Sequence, residues 1–492
     1  WEGYTHIGDG SFTPGDPGSG FYDYSIVRRC NEFLDKVPAI KFGNDADKKD
    51  LIAQVRFIRL YKYFMMNWHY GGVQIIENYQ TAEEAQIPRN TEAQVKKFID
   101  DEMALVLPDI KTTPSARGRI AKGAALALKM RMHLYYNEYP AAYNTAKEIQ
   151  KLQMYDLEDD YSELFNISGQ GSKEIILASQ YMAEVYTLGV IGQMFNNSDG
   201  GWSSIVPTHN LVDIYETADG LSITEAKEKG TYDDLFPYVN RDPRLYMTIL
   251  YPGDDRVALL SGKAVITNTI DKMVYDEGKK KDVTNPDYFN SQSNCSKTGY
   301  TWKKYLFPAN QYSNVWSSTA CPIVFRYAEV LLTIAESLIE QGTINDEVYN
   351  SIDLVRERAG MPAVNRAKYA DQASLRELIR RERTVEFAGE GIHRADIVRW
   401  KDASGKMVAE TVMNQPVYRC PISKGEVNEN GKGGIDYTQA DPHKRAQFVI
   451  DADHPKEQIV EKRKFAPYNR YYPIPLSDMD KNPNMENNPG YI

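Results

Sequence analysis

The stretch LIRRERTVEFAGEGIHRADIVRW, residues 378–400, holds five arginines, three glutamates, an aspartate and a histidine in 23 positions. Glu382 and Glu386 stand one helical turn apart, and His393 follows close behind. Such a set could serve a hydrolase or a metal site. A glycosidase needs two carboxylates about 5–10 Å apart across a cleft, one of them held protonated near neutral pH. Surrounding arginines push a carboxyl pKa down, which is wrong for a general acid. A zinc site of the HExxH type, or its inverse, needs two histidines, and His393 after Gly391 does not provide them. Read as a helix over 375–388, the stretch lines up Leu375, Leu378, Ile379 and Val385, with Glu382 on the same face and Glu386 at its edge. Carboxylates there must be paired, because an uncompensated buried charge is strongly unfavourable. Arg380 and Arg383 along the helix, or Arg394 and Arg399 folding back past the Gly389–Glu390–Gly391 break, are the expected partners, gripping through paired hydrogen bonds. The predicted role of Glu382, Arg383, Glu386, Arg394 and Arg399 is therefore a structural ion network that staples the scaffold.

The scaffold itself reads as mostly α. Leu51, Val55, Ile58, Tyr61, Met65 and Trp68 recur at spacings of three and four, as do Ala121, Ala125, Leu128, Met132 and Tyr135, and Val324, Ala328, Leu331, Ala335 and Leu338. Each row predicts an apolar stripe buried against a neighbouring helix, with the alanines allowing close approach. The helical patterns come in pairs: 21–37 with 51–69, 91–107 with 119–136 and then 141–153, and 324–340 with 346–360. Paired helices in units of roughly 34 residues predict a tetratricopeptide-like scaffold, here degenerate and interrupted. Between 165 and 320 Gly, Asn, Ser, Asp and Pro accumulate, and short strand-like runs appear at 173–181, 246–252 and 264–270. A second loop-rich region covers 401–470. The predicted organisation is helical repeats over 1–164, a loop-rich ligand-facing region over 165–320, a helical repeat with the ion-rich stretch over 321–400, and a loop-rich C-terminal region over 401–492. Long loops on a rigid scaffold suit a binding protein.

Composition narrows the function classes. With 42% hydrophobic and 26% charged residues the chain is an ordinary globular one. A formal net charge of −10 argues against a general nucleic-acid binder. Cys30, Cys295, Cys321 and Cys420 are scattered, with no metal-ligand spacing, and no apolar run is long enough to span a membrane. Tyrosines number 34 against 16 phenylalanines, which suggests a ligand-facing surface alongside tyrosines half-buried between helices.

Six stretches, in order along the chain, carry a family resemblance: GRIAKGAALALKMRMHLYY (118–136), PTHNLVDIYETADG (207–220), RYAEVLLTIAESLIEQG (326–342), NSIDLVRERAGMP (350–362), the ion-rich stretch itself, and YYPIPLSDMDKNPNMENNPGY (471–491). Together they resemble the SusD/RagB family, the surface glycan-binding lipoproteins of Bacteroidota. The resemblance implies the SusD-like version of the fold read above: mostly α, tetratricopeptide-like, with long irregular loops and a few short strands. It implies capture of an oligosaccharide without catalysis, and delivery to a SusC-like TonB-dependent outer-membrane transporter, on which the protein would sit as a lid with its helical repeats facing the barrel. It also implies a lipid anchor on a cysteine ahead of Trp1 at the outer face of the outer membrane. Cys30, inside a helical pattern, is not that cysteine. Relatives that capture peptides make peptide the alternative ligand. A glycan-cleaving enzyme built on Glu382 and Glu386, and a peptide-binding adaptor, are the remaining rivals.

Sugars present apolar faces and a rim of hydroxyls, so a site for them pairs aromatic rings with Asn, Asp, Arg or Gln. The candidates are Trp1, Tyr4, His6, Phe12 and Phe21 at the front, and Trp202 in NNSDGGWSS, Tyr288 in NPDYFN and Trp316 in NQYSNVWSS. Asn196, Asn197, Asp199 and Asn290 are the candidate hydroxyl partners. Trp68, Trp302 and Trp400 read as core residues. No cofactor is expected; GDGSFTPGDPGSG (8–20) could hold a calcium ion but lacks the pattern of a dedicated loop and reads as a turn.

Overall fold

A computed structural model of the chain describes residues 6–18, 20–259, 261–292, 294–306, 308–451, 453 and 458–491. Among these, eight helices have twelve or more residues: α1 (Ser25–Lys36), α2 (Asp45–Tyr70), α3 (Glu92–Asp109), α4 (Lys122–Tyr135), α5 (Tyr139–Lys151), α6 (Tyr327–Glu340), α7 (Asp346–Arg358) and α8 (Gln372–Glu386). They fall into two compact units. One contains the described residues up to Tyr155 with Arg394–Asn414 and the chain from Arg463 on; the other contains Asp156–His393 and Gln415–Lys462.

In the first unit α1 to α5 stack in sequence order, with α2 against α3 and α4 against α5 as the most extensive contacts. Local signals set the helix ends. Asn44 caps α2 by accepting the Ala46 N–H at 2.8 Å, and Gly71, at φ 66°, closes it in the left-handed conformation a C-terminal glycine tolerates. Thr91 and Gln94 form a reciprocal capping box at the start of α3. Twelve residues of α4 are buried, which matches its row of small side chains. Glu102 on α3 receives Arg56 at 2.7 Å and Arg59 at 2.5 Å from α2, tying the pair together. The C-terminal tail finishes this unit. Arg89, from the loop before α3, and Asn488 of the tail both donate to the Tyr70 carbonyl, at 2.5 and 2.9 Å, so the last carbonyl of α2 is satisfied from both sides.

One face prediction needs correcting. The row Leu51, Val55, Ile58, Tyr61 and Met65 is not the buried stripe of α2, and Ile58 is 41% exposed. The buried row is Ala53, Phe57, Leu60 and Phe64, about a third of a turn away. α2 is apolar around most of its circumference, so periodicity alone does not choose between adjacent rows; the bulkier aromatic row faces the neighbouring helices. The rows predicted for α4 and α6 are buried, Val324 just ahead of α6 being half-buried.

The second unit surrounds α6, α7 and α8 with short antiparallel strand pairs. Ile175–Ala178 pairs with Ile323–Arg326, which runs straight into α6; Ile249–Leu250 pairs with Thr301–Trp302; Asp255–Val257 and Ala264–Ile266 form a hairpin. Each strand-like run of the sequence contains a strand, shorter than expected; in the second run Tyr246–Thr248 is the end of the short helix Pro243–Thr248 and only Ile249–Leu250 is extended. One core cluster here is built on Tyr215, Tyr238, Tyr251 and Tyr300, all at most 1% exposed. Much of the tyrosine excess therefore points inward, with hydroxyls bonded inside the fold, as in Tyr238 to Tyr300 at 3.1 Å.

Candidate functional site

The two glutamates of α8 are 1% and 0% exposed. Arg244 reaches both, at 3.0 Å from Glu382 and 3.2 Å from Glu386. Arg356 completes the grip on Glu382, while Arg326 (2.7 Å) and Arg358 hold Glu386. Glu174 bridges Arg326 and Arg358, Glu216 bridges Arg356 and Arg381, Asp242 pairs with Arg244, and Glu390 takes Arg326 and the buried Lys304. Six carboxylates thus face five guanidiniums and one ammonium, a balanced interior network. Burial alone would raise the Glu386 carboxyl; Arg358, Arg326 and Arg244 outweigh it and hold the group well below its ordinary range. Glu382 is lowered too, against its own burial, by Arg244 and Arg356. Neither group can carry a proton near neutral pH, and neither opens to a cleft.

The network is the predicted one in kind, but its partners are corrected. They come from Arg244 in the central region, from Arg326 at the strand–helix junction, and from Arg356 and Arg358 at the end of α7. Arg383 faces Glu336 on α6 at 3.4 Å. Arg394 donates to the Asn469 carbonyl at 3.0 Å and lies over the Tyr472 ring, and Arg399 pairs with Asp396 at 2.8 Å. The cause is geometric. α8 ends at Glu386, and its inward face looks at strands and helices far away in sequence.

Because the folded carboxyls titrate below their ordinary value of 4.5, they bind fewer protons than in the unfolded chain. Their contribution is complete above that value and is lost as pH falls towards the folded-state values. The thermal midpoint is therefore expected to fall steadily below about pH 4.5, measured by scanning calorimetry in buffers of matched ionic strength. A midpoint flat down to pH 3 would contradict this.

The aromatic candidates of the central region sort differently. Trp202 and Trp316 come together edge to face, ring centroids 4.6 Å apart at 62°, and both are half-buried. The Trp202 N–H donates to the Gly192 carbonyl at 2.9 Å, and the Trp316 indole N–H donates to the Gly200 carbonyl at 3.0 Å. The Trp316 ring lies so close over Gly192 that a Cβ there would stand 2.3 Å from it. Gly192→Ala is therefore expected to displace Trp316 and weaken ligand binding without removing either ring, a loss of about tenfold, read by titration against the wild type. Unchanged affinity would show that the seating of Trp316 is irrelevant.

Asp199 is a correction: it is 1% exposed and committed to the loop, accepting from Arg256 and from the Leu259 N–H at 2.9 Å. Arg256 also donates to Ser198 at 2.9 Å, and Ser198 donates to Asp287, the residue before Tyr288. This network fastens the Trp202 loop to its neighbours. Tyr288 is half-buried against Phe289 at 4.6 Å, and Asn290 is exposed beside it. Asn197 is half-exposed, whereas Asn196 is buried at 2%.

At the front, Trp1 and Tyr4 lie outside the described residues, as does the side chain of His6, whose backbone opens the short helix His6–Asp9. Phe12 is a core residue at 4% exposure, against Tyr472 and Tyr491. Phe21 is 40% exposed and stacks on His69 at 4.3 Å. The 8–18 segment is a laced turn, with Asp9 accepting from Ser11 and the Gly8 carbonyl taken by Lys464. Trp68 and Trp400 are core at 3% exposure, and Trp302 is half-buried.

Sequence reasoning missed a pocket of about 540 Å³ floored by Phe165, Asn166, Arg256 and Lys304 and edged by Tyr246 and Tyr305. Its residues come from four separated segments, so no single motif marks it. It also missed an exposed finger where Tyr181 stacks on Tyr186, centroids 5.1 Å apart, with Met182 and Val185 more than 60% exposed. The signal was there in the run YMAEVY.

A model of the SusD family matches residues 173–491. A solved SusD-like carbohydrate-binding protein from Bacteroides fragilis is 28% identical, with a TM-score of 0.79 covering 98% of this chain and 88% of that one. A second SusD-like structure from the same species is 24% identical, with a TM-score of 0.78 over 99% and 89%. A SusD-like protein of Formosa agariphila is 23% identical over 404 residues, 77% of this chain and 71% of that protein.

Proposed function

The chain belongs to the SusD family, and on that premise we propose that it is a non-catalytic binding protein that captures oligosaccharides or polysaccharides. The observation that carries this reading is the Trp202–Trp316 pair, two partly exposed indoles in edge-to-face contact on loops, with the Trp316 indole held by the Gly200 carbonyl and the Trp202 backbone by the Gly192 carbonyl. Rings fixed before binding offer a sugar's apolar face a surface with little entropy left to lose. Tyr288 and the exposed Asn290, on the loop tied to Ser198, stand as neighbouring contributors, with Asn197 as a hydroxyl partner. The carbohydrate-binding Bacteroides fragilis relative supports the ligand class. The arginine-clamped, fully buried state of Glu382 and Glu386 supports the absence of catalysis.

The wider role proposed is nutrient uptake at the outer face of the outer membrane. A lipid would hold the protein there, and a SusC-like TonB-dependent transporter would receive the ligand, with the stacked helices facing the barrel. Among the described residues no helix is long and apolar enough to cross a membrane, which is compatible with a lipid anchor. Affinity electrophoresis in gels containing soluble polysaccharides, set beside anisotropy titrations with mixed peptides, tests the ligand class. Retardation by at least one polysaccharide, reduced in Trp202→Ala and Trp316→Ala, is the expected result. Binding to peptides alone would replace the glycan with a peptide ligand.

A further inference from the structure

Residues 181–186, YMAEVY, form a finger that closes on itself. Met182 and Tyr186 exchange backbone hydrogen bonds at 2.7 and 3.0 Å, and Glu184 turns the chain at φ 63°. The Tyr186 ring lies parallel to that of Tyr181, centroids 5.1 Å apart with 1° between the planes. One face of the ring is thus backed by Tyr181, yet Tyr186 is 65% exposed, and Met182 and Val185 beside it are 62% and 77% exposed. Apolar side chains clustered in water mark a surface that something covers. The finger is too small to hold a protein by itself. A stable protein interface takes about 800 Å² and about 20 residues or more from each side, and a six-residue hairpin supplies a fraction of that. What fits one backed, open ring is the apolar face of a single sugar unit, with the exposed Glu184 at the turn as an acceptor for its hydroxyls.

The finger is anchored where the tryptophans are. Its two stems bond to one segment, the Ser179 N–H to the Pro322 carbonyl at 3.0 Å and the Leu188 N–H to the Ser318 carbonyl at 2.8 Å. Past Leu188 the chain enters the short helix Gly189–Gln193, which supports both indoles. Gly192 lies under the Trp316 ring, and its carbonyl accepts the Trp202 N–H. A Cβ on Gly189 would stand 3.4 Å from the Trp316 carbonyl. Tyr186 comes three residues earlier, so its Cα lies within about 16 Å of that carbonyl. The Tyr186 ring pairs with Tyr181, and the tryptophans pair with each other. The two places therefore suit different units of one short chain. We propose that Tyr186 is a second contact on the same glycan, taking a sugar unit further along the chain held at Trp202–Trp316, so that the site selects oligosaccharides long enough to span both. This extension rests on the glycan-binding reading. Once a chain is held by the tryptophans, its next contact forms at high effective concentration, and a contact that is weak alone adds affinity. Chains too short to span the two places gain nothing from the finger.

The test is calorimetric titration of the full chain with size-graded oligosaccharides, from disaccharide to octasaccharide, of amylose, xylan, mannan, galactan and mixed-linkage β-glucan. Affinity for the series that binds should rise with length. Tyr186→Ala should lower it about fivefold or more for the longest members, while sparing the shortest that bind. Tyr186→Phe, which keeps the ring, should behave as the wild type, and Trp316→Ala should weaken short and long chains alike. Tyr186 stands outside the core, so its variants are expected to fold as the wild type does, which circular dichroism checks. If Tyr186→Ala binds the longest chains as tightly as the wild type, or weakens every length equally, the finger is not part of the site, and the glycan reading stands without it. If no series binds the wild type, the glycan reading fails and the extension falls with it.

Discussion

Glu386→Gln is expected to lower the unfolding free energy by about 3–5 kcal/mol, although it changes neither the shape nor the volume of the side chain. The carboxylate receives Arg244, Arg326 and Arg358 at once. Glutamine keeps one acceptor oxygen and turns an NH₂ towards guanidiniums that can only donate. The network, balanced at six charges of each sign, is left with an uncompensated positive charge in a place water does not reach. Glu382→Gln, facing Arg244 and Arg356, is expected to behave alike. Glu377→Gln on the exposed side of α8 is the control and should change stability by less than about 0.5 kcal/mol. Urea unfolding of the three variants decides the matter. A catalytic pair would give the opposite pattern, with stability kept and an activity lost, so an unchanged midpoint for Glu386→Gln would remove the structural account.

Trp316→Ala is expected to weaken binding of the cognate polysaccharide by about 30-fold or more, the scale on which a central tryptophan anchor contributes. The ring also packs against the buried cluster of Ile191, Phe195 and Tyr312, so some stability is lost with it, and affinity is compared on protein shown to be folded by circular dichroism. Trp202→Ala should have a comparable effect. The two rings touch, so their losses are not expected to add; the double variant should lose less than the sum of the single ones. Strict additivity would mean that the rings serve separate ligands. No loss from either variant would place the glycan platform elsewhere on the protein.

How much of this was legible beforehand follows from the range of the interactions. Helix positions are local, so their spacing was readable, and so was the demand that Glu382 and Glu386 be paired. The identity of their partners was not readable, because Arg244 and Arg326 reach α8 only through tertiary folding. The buried face of α2 was misread because two adjacent rows are apolar and the neighbours choose between them. Trp202 and Trp316 were each marked by small polar flanks, yet nothing in either loop foretold that they meet. Asp199 looked like a ligand group for the same reason that it caps a loop: short acidic side chains suit both tasks, and only its contact with Arg256 separates them. The pocket of Asn166 and Arg256 left no trace in any one segment.

The most direct measurement is calorimetric titration of the wild-type protein with a panel of soluble polysaccharides, with reducing ends assayed in the same samples after prolonged incubation. Saturable binding with no increase in reducing ends is the predicted result. Reducing ends that accumulate with time and protein concentration would contradict it, and would mean that carboxylates of this chain cleave the glycan it holds.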